Sequence, residues 1–204
     1  MAITTAPDRS GHTAHHGRPI MIVVLIAVLA VVATAIALLV YGSSGAAVTQ
    51  TRTVAGFTSL DLAGSNNVTI IVGRPQSVVV HADSNLINHV TTQVVSGTLV
   101  IGDTGSFTAR GPMSVDVSVP SLTALSLSGS GQISATAIST PQLTVTISGS
   151  GLVSAAGTAT RLDATINGNG KAQLSQLTAR DVNAVINGSG LIQSRNSVSR
   201  SGIW

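Results

Sequence analysis

The chain has no cysteine and no glutamate, one lysine (Lys171), and four aromatic residues, Tyr41, Phe57, Phe107 and Trp204, in 204 residues. Without cysteine there is neither a disulfide framework nor a thiolate metal site. Charged residues are 8% of the chain, against about 25% in an ordinary soluble domain, so serine, threonine, asparagine and glutamine must provide the polar surface. Ten basic residues against seven aspartates leave a formal net charge of +3. The basic residues do not cluster and aromatic platforms for bases are nearly absent, which excludes nucleic-acid binding.

Glycine is abundant. Of 21 glycines, eight fall in four near-copies of one phrase between residues 120 and 194: LSLSGSGQI, VTISGSGLV, ATINGNGKA and AVINGSGLI. The first glycines are Gly129, Gly149, Gly168 and Gly188, spaced 20, 19 and 20 residues apart, and the second are Gly131, Gly151, Gly170 and Gly190. Four residues before each first glycine stand Leu125, Val145, Ala164 and Ala184. Two before it stand Leu127, Ile147, Ile166 and Ile186, and four after it Ile133, Val153, Ala172 and Ile192. Apolar alternation of period two on both sides of a glycine turn predicts strand, tight turn, strand, with one face apolar. A fixed period near 20 marks stacked units, none of which buries its apolar face alone. The expected fold is all-β: a single-stranded right-handed β-helix, or β-solenoid, with coils of about 20 residues. Glycine at the turns answers either a positive φ or layers too close for a Cβ.

These SGSG and NGSG turns at this spacing resemble the bacterial GIN domain family of auto-transporter adhesin heads. The segment from Phe57 to Ile101 is similar to that family's opening, so the likeness runs over residues 54–194. It implies a β-helical, surface-exposed domain and brings no catalytic residue. It also implies a further Gly-Ser-Gly copy where this chain has RNSVSRSGIW, so the last coil, 197–204, is expected to be incomplete or frayed.

Residues 1–19 are polar, lack an apolar period and are expected to be a disordered cytoplasmic tail. Residues 20–41 form a run of 22 without a charge, long enough for a transmembrane helix and longer than a signal-peptide core. The small residues from Gly42 to Ala47 leave a cleaved signal peptide as the alternative. Arg9 and Arg18 precede the run and Arg52 follows it, placing the N-terminus in the cytoplasm and the rest outside the bacterial membrane. Residues 42–56 read as a linker and 57–196 as the repeat domain. Within it Leu60, Leu62 and Val68 take the repeated apolar positions, and Gly73 to Gln76 reads as a hairpin-like connection.

Candidate chemistry is sparse. A phosphate loop needs Gly-Lys-Ser/Thr before a helix, which Gly170-Lys171-Ala172 lacks; calcium-binding β-rolls need aspartate in each turn. The turn glycines therefore read as structural. Arg161, Asp163, Lys171, Arg180 and Asp181 form the one charge cluster; Arg161, Asp163, Lys171 and Asp181 are the residues an envelope polysaccharide-acting enzyme would use. Arg161 and Asp181 each stand seven residues before a first glycine and are expected to pair across layers. His81, Asp83 and His89 match no strong metal template, and His12, His15 and His16 lie in the tail. Asn167, Asn169 and Asn187 could stack as an amide ladder, and the same polar ridge could take a glycan. Neither catalytic residue, metal nor cofactor is expected. The reading is a membrane-anchored, non-enzymatic surface module of adhesin-like or structural role, with a glycan or an envelope protein as partner; the alternatives are the envelope enzyme and a sensor ectodomain.

Overall fold

The computed structural model describes residues 45–105, 113–195 and 199–200, the last two by backbone alone, all within the compact unit Ser44–Trp204. The expected tail 1–19 and membrane helix 20–41 lie outside the described residues, as does most of 197–204. Among the described residues no helix is long and apolar enough to cross a membrane.

The described chain is all-β. Its strands are β1 (Ala47–Arg52), β2 (Ser59–Ala63), β3 (Asn67–Val72), β4 (Ser77–Asp83), β5 (Val90–Val95), β6 (Thr98–Asp103) and β7 (Ser114–Val119). Six more follow: β8 (Ala124–Leu127), β9 (Gln132–Ile147), β10 (Leu152–Asn167), β11 (Lys171–Asn187), β12 (Leu191–Ser194) and β13 (Ser199–Arg200). All join one sheet. Residues 47–52, expected within a linker, are thus a strand, because their backbone finds β4 as an antiparallel partner.

Two parallel ladders run through the sheet. The first passes through β6, β2, β8 and the second halves of β9, β10 and β11 to β13. The second passes through β7, β3, the first halves of β9, β10 and β11, and β12. Each long strand therefore serves both ladders and bends between them. The bend sits where the register shifts beside Gly157, with Ala137 at φ 58° and Gly157 at φ 136°.

Period-two alternation then sorts the side chains. Ile101, Leu62, Leu127, Ile147 and Ile166 are consecutive register partners and are fully buried. The column on the second ladder, Val115, Val68, Ile133, Val153 and Ala172, is equally buried. Both belong to one core. The last member of the first column departs from expectation: Ile186 is 42% exposed, because among the described residues only the two-residue β13 pairs beyond β11 there.

Stacking order is not chain order. β2 and β3 lie between the later strands β6 and β7 on one side and β8 and β9 on the other. The chain leaves β3 at Gly73 (φ 84°) and runs through β4 to β7 before Pro120–Thr123 carries it across to β8. The expected hairpin at Gly73–Gln76 does not form, since β7 stands between β3 and β4 and pairs with both. Beyond β6 and β7 the ladders are closed by antiparallel strands, β5 on β6, and β4 then β1 on β7.

Candidate binding surface

The repeat glycines line one edge of the stacked tiers. A Cβ on Gly151 would meet Leu127 Cδ2 at 2.5 Å and collide with the Gly131 carbonyl; one on Gly168 would lie 2.7 Å from the Gly149 carbonyl oxygen. Of the eight, only Gly168 and Gly188 have a left-handed φ. Close approach of tiers is therefore the general reason for glycine here, and backbone freedom the lesser one. Beside this edge Asn187 Nδ2 donates to Asn167 Oδ1 at 2.9 Å, one rung of the expected amide ladder.

A shallow cleft of about 360 Å³ opens on the outer side of the second ladder, just before the bend. Ser134, Ser154, Gln173 and Gln193 are successive register partners along it, and Thr136 and Gln176 border it at the bend. Ser154 Oγ donates to Gln173 Oε1 at 3.2 Å, which fixes one amide along the wall. Past the bend a second cleft of about 340 Å³ is edged by Ser139, Thr140, Thr158 and Thr160. Neither cleft is lined by a charged or aromatic side chain. Serines and alanines of β9 and β10 form one part of the first cleft's lining, and glutamines of β11 and β12 another. The sequence carries a signal for this surface: the fifth residue after each first glycine is always polar, Ser134, Ser154, Gln173 and Gln193.

The charged candidates do not assemble. Arg161 and Asp181 are register partners as expected, but the only ion pair within 4.0 Å among the described residues joins His81 to Asp116. An exposed arginine gains too little from a carboxylate in water to hold its long side chain in one geometry. Asp163 is instead flanked by amides, accepting from Gln142 Nε2 at 3.1 Å and Asn183 Nδ2 at 3.4 Å. Lys171 lies across the glycine turn from Asp163, beside Leu152 and Leu191. The arrangement gives no pair of facing carboxylates for acid–base work.

His81 and His89 have separate partners. His81 Nε2 lies 3.0 Å from Asp116 Oδ2 and its Nδ1 3.0 Å from Thr49 Oγ1, so hydroxyl, imidazole and carboxylate align across β1, β4 and β7. All three are solvent-accessible. His89 Nδ1 lies 2.7 Å from the Thr104 carbonyl oxygen. Among the described residues no group of three His, Cys, Asp or Glu stands close enough to hold a metal.

Residues 56–200 match the profile of a family described as "Putative auto-transporter adhesin, head GIN domain". Among solved structures, the chain is similar to a "putative adhesin" from Bacteroides fragilis, with 20% identity over 72% of this chain and 78% of that one and a TM-score of 0.58. A second, a "putative adhesin" from Parabacteroides distasonis, shares 19% identity over 72% and 81% at a TM-score of 0.42. A "putative cell adhesion protein" from Clostridium sporogenes shares 15% over 72% and 97% at 0.36. Identity at this level speaks to the fold alone. No curated protein matches the chain.

Proposed function

The chain belongs to the GIN-domain family of auto-transporter adhesin heads, and from that premise we propose a membrane-anchored surface module that binds without catalysing. Its repeat domain is a single-stranded β-solenoid, and the register at offsets of 19 and 20 residues supports that reading. The right hand follows from the rule for parallel crossovers. The uncharged run 20–41 is the retained anchor, with the domain outside the bacterial cell.

One observation carries the non-enzymatic part: the outer wall presents register columns of hydroxyls and amides, while its few charged groups are dispersed. Such a wall can hold a ligand by many weak, directional contacts, and neither described cleft has a charged side chain in its lining to take or give a proton. Neighbouring tiers brace each column through the ladder, so the surface is preorganised.

The test is made on intact cells of a bacterium expressing the full chain. Added protease should digest residues beyond 48 in spheroplasts and leave a short membrane-held fragment, and cells lacking the chain should adhere less to their natural surface. A secreted form beginning near Ala47 would overturn the anchor. Protection of the domain from added protease would overturn display itself.

A further inference from the structure

We infer that the cleft along Ser134, Ser154, Gln173 and Gln193 is a binding site for an uncharged oligosaccharide lying up the stack, across successive tiers. The inference deepens the proposed function and rests on the domain being displayed outside the cell.

Three features select that ligand class. First, the wall offers hydroxyls and primary amides, each both donor and acceptor, and no charge within either cleft. A phosphate, sulfate or uronate chain would find no cation to meet it, and a cationic peptide no carboxylate.

Second, the backbone here is already committed. β9 is bonded on both sides by β3 and β10, β10 by β9 and β11, and β11 by β10 and β12, so an extended peptide cannot add itself as a strand between the tiers of the cleft, and recognition there falls to side chains. The lining also lacks the apolar or aromatic pocket that would anchor a peptide side chain or a lipid tail.

Third, the polar column repeats once per tier, about 4.8 Å apart, comparable to the length of one sugar ring in an extended chain. Successive rings would then meet equivalent partners in Ser134, Ser154, Gln173 and Gln193. The Ser154–Gln173 hydrogen bond orients an amide before binding, and the cleft past the bend continues the hydroxyl-lined surface. No aromatic ring is present to stack on a sugar face, so a single short oligosaccharide should bind weakly and a multivalent display strongly.

The full chain in nonionic detergent would be titrated, by saturation-transfer NMR, with neutral hexamers of cellulose, xylan, chitin and β-1,3-glucan, with hexagalacturonate as the anionic probe. At least one neutral hexamer should bind. Gln173→Ala with Gln193→Ala should weaken it tenfold or more without moving the unfolding midpoint. Gln142→Ala, on the other ladder, should change binding less than twofold. Ser154→Trp, which fills the cleft from an outward position, gives a second route to the same loss. Binding of hexagalacturonate alone, of no hexamer at all, or equal losses in the Gln142 and Gln173/Gln193 variants would overturn the site. Should that happen while protease still reaches the domain on cells, display stands and the oligosaccharide inference falls.

Discussion

The two ends of the ladders are built differently, and the difference shows what a stacked β-structure needs. At the end formed by β6 and β7, antiparallel strands cover both ladders, and Val78, Val80, Ala82, Leu86, Ile87 and Val90 extend the core beneath them. At the other end, among the described residues, β11 meets only β12 and the two-residue β13 and nothing pairs beyond them, and Ile186 is 42% exposed. The glycine edge repeats the contrast in hydrogen bonding. Through the tiers the turn amides mostly donate toward earlier copies: Gly131 N to Gly64 O, Ser150 N to Gly129 O, Asn169 N to Gly149 O, Leu191 N to Gly170 O. Among the described residues no glycine-turn carbonyl lies beneath the first tier to accept. Asp103 supplies the missing acceptor, taking Asn66 Nδ2 at 2.7 Å and, at a longer 3.5 Å, the Ser65 amide. Capping by a carboxylate at the donor end of an aligned column follows the logic that places acids at helix N-termini.

The same contrast explains why the first copy, AGSNNV, departs from the others. Asn66 lies directly beneath Gly131 and takes the second-glycine position. Its side chain extends toward Asp103, where later copies have the backbone of another turn. Moving that asparagine into the interior should produce the largest effect. Gly151→Asn would drive a side chain into the Gly131 carbonyl and Leu127, with an expected loss above about 4 kcal/mol or failure to fold. Denaturant unfolding of the full chain in detergent would measure it. A folded variant of near-native midpoint would mean that the tiers can separate and that close approach is not what requires glycine.

The next largest effect lies in the buried column. Ile166→Ala removes a fully buried side chain between Ile147 and Ile186 and should cost about 2–5 kcal/mol. Thr165→Ala, one residue away on the outer face, should stay within about 0.5 kcal/mol. Equal midpoint shifts at the two positions would show that the strand phase is wrong.

That phase was legible from the sequence. Alternation around the glycines placed Leu127, Ile147 and Ile166 in the core, and spacing placed Arg161 opposite Asp181. Stacking order was not legible, because the apolar alternation of Leu60 and Leu62 would pair as well with one neighbour as another. Period fixes which face is buried but not which strand lies next door. Strand β1 was hidden by its small and polar residues, since what orders it is the free edge of β4, a tertiary fact. The cleft is not legible in the sequence, because its polar positions look like the ordinary outward residues of a strand. The Arg161–Asp181 pair follows from register alone, and register does not fix where the long Arg161 side chain ends.

A smaller effect tests the cap. Asp103→Ala should cost about 1–3 kcal/mol, since it strips the acceptor from the Asn66 amide, whose residue is 1% exposed and whose Oδ1 already lacks a partner. Asp103→Asn keeps one oxygen acceptor and should recover part of the loss in the same unfolding measurement. If Asp103→Ala left the midpoint unchanged, the carboxylate would not be capping the turn column.

The smallest effect is expected at the open end, and it bears most directly on the contrast between the two ends. Ile186 holds the column position of Ile166 one tier further on, with the same residue type and the same phase, so the two differ only in what covers them. Because Ile186 keeps 42% of its surface in water, truncation to alanine forfeits roughly half the burial and leaves a notch that solvent can enter, not a closed cavity. The expected cost is about 1 kcal/mol, several-fold below that at Ile166. Ile186→Thr, which keeps the branched shape and adds a hydroxyl able to reach water, should be milder still. Unfolding midpoints for Ile166→Ala, Ile186→Ala and Ile186→Thr, taken side by side in the full chain, decide the matter. If Ile186→Ala costs as much as Ile166→Ala, the last tier is covered as fully as the interior ones, and the asymmetry between the two ends disappears.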